Sequence, residues 1–136
     1  MQTLDPQEAL VCTMVLVAAA DGGLTDREIG AMAGLVQTLP VFRGFSADRL
    51  KAATDTAVSL LGETEGLARA ARLIREVLEP RLRETAYVVA CDVIAVDQEA
   101  RQTELEMLEF VRAELAIDPL IARALERGAR ARQQRT

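Results

Sequence analysis

Two short stretches hold the residues best suited to chemistry. In Ala18-Ala19-Ala20-Asp21-Gly22-Gly23-Leu24-Thr25-Asp26-Arg27-Glu28 an apolar segment ends, the chain turns on two glycines, and a new segment opens with acid. The same order returns in Ile94-Ala95-Val96-Asp97-Gln98-Glu99-Ala100-Arg101-Gln102-Thr103-Glu104, where Asp97 and Glu104 stand seven apart just as Asp21 and Glu28 do. Carboxylate oxygens without imidazole or thiolate suit hard cations such as Ca²⁺, Mg²⁺ or Mn²⁺ better than a structural Zn²⁺ site. There is no histidine anywhere in the chain. The spacing is not an EF-hand, because the twelve-residue loop and its ladder of ligands are absent. Were the four acids to converge, their like charges would repel unless a cation or an arginine answered them.

A plainer reading stands beside this one. Thr25 and Glu28 form a capping-box pattern, in which the threonine hydroxyl takes one free amide and the glutamate reaches back to another. Acid in a first helical turn is favoured by the helix dipole by about 0.3 to 1 kcal/mol in any case. The second copy has Arg101 where the first has Thr25. A guanidinium accepts no hydrogen bond, so Glu104 keeps the spacing without the box, which favours a use for the carboxylate itself. Asp92 is a fifth acid with two readings: a groove-edge aspartate paired with an arginine, or a further ligand beside the Asp97 corner. The first copy has Leu16 at the corresponding position, so the repeat does not support the second reading.

The elements that must position these acids follow the same repeat. At a shift of 76 residues, Val17 falls on Val93, Ala20 on Val96, Ile29 on Leu105, Met32 on Leu108, Leu35 on Val111 and Leu39 on Leu115. Apolar positions therefore agree on both sides of the corner. Two copies are too few for a solenoid, which needs about three or more units, so the pattern predicts two helical hairpins related by a pseudo-two-fold axis.

These residues carry a family resemblance. A small-residue helix running into Ala-Ala-Ala-Asp-Gly, a glutamate seven after that aspartate, and a second Ile-Ala-x-Asp corner near residue 97 resemble the TerB-like family, bacterial proteins associated with tellurite resistance. The resemblance covers roughly residues 8 to 118. It departs at Gln98, where the family usually has glycine after the second aspartate. It implies an all-α, compact bundle and a cytoplasmic role in a tellurite and chemical-stress resistance system. Partners there would include membrane-associated and Ca²⁺-binding proteins.

Bulk properties set wider limits. A chain of 136 residues, half of them apolar, fits one domain with a core of its own. An aromatic content of 3% with abundant Ala and Leu favours helices over sheets. A net charge of −5 argues against nucleic-acid binding, which needs a basic face. Met1 to Pro6 lacks a basic segment, so no secretory leader is expected. The uncharged run from Ala9 to Ala20 is too short to span a bilayer. Cys12 and Cys91 sit in apolar helical runs and read as small buried hydrophobes.

In chain order the spacing predicts about seven helices within a single domain over residues 1–127, followed by a basic tail over 128–136 that frays. Asp5-Pro6 starts the first helix, which is apolar nearly all round from Leu10 to Ala20. The second places Ile29, Met32, Ala33, Val36 and Leu39 on one inward face, with Gly30 and Gly34 suited to close approach of another helix. Phe42 and Phe45 plug the edge of the core. Ser46 caps the third helix and Thr64 the fourth. Pro80 restarts the pattern as a fifth helix to Val96. The sixth, Ala100 to Leu115, has Leu105, Leu108, Val111 and Leu115 as its inner seam, and the seventh runs from Leu120 to about Arg130.

Three function classes follow: a metal-linked stress protein using Asp21, Glu28, Asp97, Glu104 and Asp92; a metal-free docking module using the same acidic surface; and an enzyme. The last is disfavoured, because no nucleophile motif, phosphate loop or sugar platform accompanies the carboxylates.

Overall fold

From Ala9 onward the first helix is buried because nothing there needs water. The computed structural model describes residues 3–20, 22–97 and 101–136. In it α1, Pro6–Ala18, buries every residue from Ala9 to Ala18. Its one buried hydroxyl, on Thr13, donates to the Ala9 carbonyl at 2.8 Å and so brings no unmet polar group into the core. Asp5 caps the helix from outside and Pro6 occupies its first turn, as the Asp-Pro pair predicts.

Six further α-helices follow among the described residues: α2, Asp26–Thr38; α3, Ala47–Leu61; α4, Gly66–Val77; α5, Pro80–Ala95; α6, Gln102–Glu114; and α7, Pro119–Arg132. A short 3₁₀ turn, Pro40–Phe42, joins α2 to α3. No strand occurs among the described residues. The all-α bundle of seven helices is the architecture expected from composition and spacing.

The core is organised around the packed pair α1 and α5. α5 buries Ala86, Tyr87, Val89, Ala90, Cys91, Val93 and Ile94, the counterpart of the apolar run in α1. α3 and α4 cover α1, whereas α7 covers α5. The second helix of each hairpin also reaches across to the other hairpin: α2 packs on α5, and α6 packs on α1. That exchange sets α2 and α6, the helices that begin beside Glu28 and Glu104, against the central pair. Phe42 and Phe45 close the edge of the core with ring centroids 5.7 Å apart, and the Arg49 guanidinium lies 4.5 Å from the Phe45 ring.

Several local expectations are corrected. Ile29 and Leu105, assigned to inward faces, are 50% and 45% exposed. Periodicity marks the apolar side of a helix but not the width of the surface that covers it, and both residues lie at the uncovered margin. Gly30 and Gly34 approach no other helix, since a Cβ at either position meets no atom within 4 Å. The glycine that does permit close approach is Gly66, where a Cβ would fall 2.0 Å from the Leu60 carbonyl oxygen. α4 is preceded by Glu65 in a left-handed conformation rather than capped by Thr64. The segment expected to fray from Gly128 is helical as far as Arg132, because Ala129 is buried beneath it and Arg132 is ion-paired to α5.

Candidate functional site

Glu28 sits in the first turn of α2, where the turn after α1 brings the chain back onto the core. The capping box read from the sequence is present. The Glu28 amide donates to Thr25 Oγ1 at 3.1 Å, and the Thr25 amide donates to Glu28 Oε1 at 2.8 Å. The side chain is buried, at 1% exposure. Its second oxygen, Oε2, is fully enclosed and has no hydrogen-bond partner among the described residues. A buried polar atom left in that state costs about 1 to 3 kcal/mol, and more when charged. The cap therefore accounts for one oxygen of Glu28 and not for the other.

Glu104 is the equivalent residue in α6 and is also buried. Its Oε1 accepts from the Arg101 amide at 3.0 Å. This corrects the distinction drawn from the sequence. Arg101 indeed offers no side-chain acceptor, but its backbone amide needs one, and Glu104 supplies it. Glu8 does the same for the Asp5 amide at 2.9 Å. Three helices thus open with a glutamate folded back on its N-cap, so the spacing alone distinguishes no ligand. Burial separates them, since Glu8 is only partly covered whereas Glu28 and Glu104 are enclosed.

The remaining acids are placed differently. Asp97 lies in the turn after α5, half-buried, and its carboxylate has no hydrogen bond or ion pair among the described residues. Asp21 lies outside the described residues. Asp92 is held by an arginine: Arg132 of α7 donates to its Oδ1 from both Nε and Nη2. The arginine-paired reading of Asp92 is the one observed, although the partner comes from forty positions away and not from its own helix. Among the described residues no three carboxylate or thiol side chains gather as a ready metal cage. Ala20 after α1 and Thr103 at the start of α6 line one shallow cavity of about 240 Å³ with Leu67, Glu106, Met107 and Phe110, and none of the candidate acids reaches it among the described residues.

Sequence reasoning missed a second concavity. A groove of about 480 Å³ runs between α5, α6 and the end of α7, with Ile94, Leu105 and Leu108 on its apolar side and Arg130 and Arg135 among its polar lining. Its signal was the arginine run near the C-terminus, which reads as a tail, whereas α7 carries it as far as Arg132.

Burial keeps both thiols protonated at ordinary pH. Cys12 and Cys91 are both free, and burial pushes each thiol up to about 12.

The family model for the tellurite resistance protein TerB matches residues 7–127, nearly the whole helical bundle. The chain belongs to the TerB family. The match begins in the first turn of α1 and ends within α7, so both corners and the central helix pair lie inside the TerB domain. Comparison with curated proteins and with solved structures gives no match. No helix among the described residues of this TerB domain is long and apolar enough to cross a membrane.

Proposed function

We propose that this TerB-family protein is a non-catalytic, cytoplasmic binder of a hard divalent cation, Ca²⁺, Mg²⁺ or Mn²⁺, working with protein partners in tellurite and chemical-stress resistance. The observation that carries the reading is Glu28 Oε2, an enclosed carboxylate oxygen without a hydrogen-bond partner among the described residues. A protein retains such an atom at a cost in stability unless something else meets it. Oxygen donors alone favour hard cations. Asp97 and Glu104 on the second corner, with Asp21 on the first, are the further oxygen donors of this reading.

Glu28→Gln tests this reading with the cap preserved, because glutamine also serves in a capping box. Titration of apo protein with CaCl₂, MgCl₂ or MnCl₂ by calorimetry should give saturable heat for the wild type. It should give none for Glu28→Gln or for Asp21→Asn with Asp97→Asn, at unchanged helix content. Equal heats in the wild type and Glu28→Gln would overturn the assignment.

A second reading has an observation of its own. Ile29 beside Glu28 and Leu105 beside Glu104 are both half-exposed, which suits a metal-free docking surface. Heat from partner proteins with none from the three cations would favour it.

A further inference from the structure

The groove between α5, α6 and α7 joins two features that ask for different halves of one ligand. Its floor is apolar and lies mostly beneath the surface: Ile94 and Leu108 are each 4% exposed, while Leu105 rises at the edge to 45%. Its volume, about 480 Å³, falls within the range of small-molecule sites, roughly 300 to 1,000 Å³. Its polar lining contains three charged residues, Glu126, Arg130 and Arg135. Glu126 is already committed, since Oε2 accepts from the Tyr87 hydroxyl at 2.5 Å and from Arg123 Nη1 at 2.9 Å. Neither Arg130 nor Arg135 has an ion-pair partner among the described residues. The charge left unanswered at the groove is therefore positive, in a chain whose net charge is −5.

One wall of the groove is tied to the core. Arg132, between those two arginines in sequence, is fixed to Asp92 of α5, which anchors the last turn of α7.

We infer that this groove binds a small amphipathic anion, a medium-chain carboxylic acid, with its chain along Ile94, Leu105 and Leu108 and its carboxylate between Arg130 and Arg135. Arginine presents a planar fork suited to a carboxylate. A flat membrane surface fits less well, because the apolar side chains line a recess and do not form a projecting patch. The site uses none of the five candidate acids, although Leu105 adjoins Glu104.

Isothermal titration of the full chain with sodium decanoate, below its micelle concentration, tests the inference. One-site saturable binding is expected, weakened at least tenfold in Arg130→Gln with Arg135→Gln and lost in Leu105→Asp. Because all three positions are exposed, helix content should be unchanged by circular dichroism. Decyl maltoside, with a chain of the same length and no charge, should bind at least tenfold more weakly. Absence of saturation, equal affinity in the double arginine variant, or equal affinity for the maltoside would each overturn the proposal. So would binding only to phosphatidylglycerol vesicles, which would make the feature a lipid-surface contact.

Discussion

Arg132 in the last turn of α7 grips Asp92 of α5 through two nitrogens on one carboxylate oxygen. The aspartate is largely covered and the arginine about half exposed. This contact joins the C-terminal end of the chain to the central helix pair, and it removes Asp92 from the acids available to a cation. It also turns what reads as a loose basic end into one wall of a groove.

The pair should contribute about 1 kcal/mol to stability, toward the upper end for a partly exposed ion pair. A double-mutant cycle with Arg132→Ala and Asp92→Ala, followed by urea denaturation, measures that coupling. Amide exchange in the last turn of α7 should speed up in either single variant. Zero coupling together with unchanged exchange would show that the contact holds nothing in place.

Much of this was legible in the sequence because helices announce their own ends. Asp5-Pro6, Gly22-Gly23, Ser46 and Pro80 punctuate the chain where the structure does, and uncharged runs mark α1 and α5 as the core pair. The exposure of Ile29 and Leu105 was not legible, since spacing along one helix carries no information about how much of it a neighbour covers. Nor was the Asp92–Arg132 pair, which depends on how α7 lies across α5. The corner acids fall between these cases. The repeat located Glu28 and Glu104, but only packing reveals that both are buried and that one oxygen of Glu28 is unmet.

Removing that side chain should separate its two roles. Glu28→Ala loses the back-bond to Thr25 and leaves a void, so a loss of about 2 to 3 kcal/mol is expected without cation. Glu28→Gln retains the back-bond and should lose less than about 1 kcal/mol. Chemical denaturation in the presence of EDTA checks both values. Similar losses in the two variants would mean that the charge itself, and not the cap, holds the corner.

The buried thiols set an alkaline limit on the fold. Their ordinary value is 9.0, and burial raises both to about 12 in the folded state. Below pH 9 both states keep the proton and the thiols are neutral to stability. Between about 9 and 12 the unfolded chain releases protons that the folded chain retains, so stability falls as pH rises through that window. Tyr87, raised by burial and by its hydrogen bond to Glu126, acts in the same direction at higher pH. Denaturation midpoints from pH 8 to 11 should decline, and Cys12→Ala with Cys91→Ala should flatten the first part of the decline after correction for lost packing. Native protein at pH 8 should leave Ellman's reagent almost unreacted until denaturant is added.

The glycines offer a test of the packing that depends on no ligand. Gly30 and Gly34 lie within α2 with open space where a Cβ would stand, so each Gly→Ala change should stabilise the protein by about 0.5 to 1 kcal/mol. Gly66 begins α4 against the Leu60 carbonyl, where a methyl group would force the backbone apart, and Gly66→Ala should cost more than about 3 kcal/mol. Thermal melts of the three single variants suffice. A destabilised Gly30→Ala or Gly34→Ala would place an unseen neighbour on the outer face of α2, beside the half-exposed Ile29, and would favour docking over cation binding as the purpose of that corner.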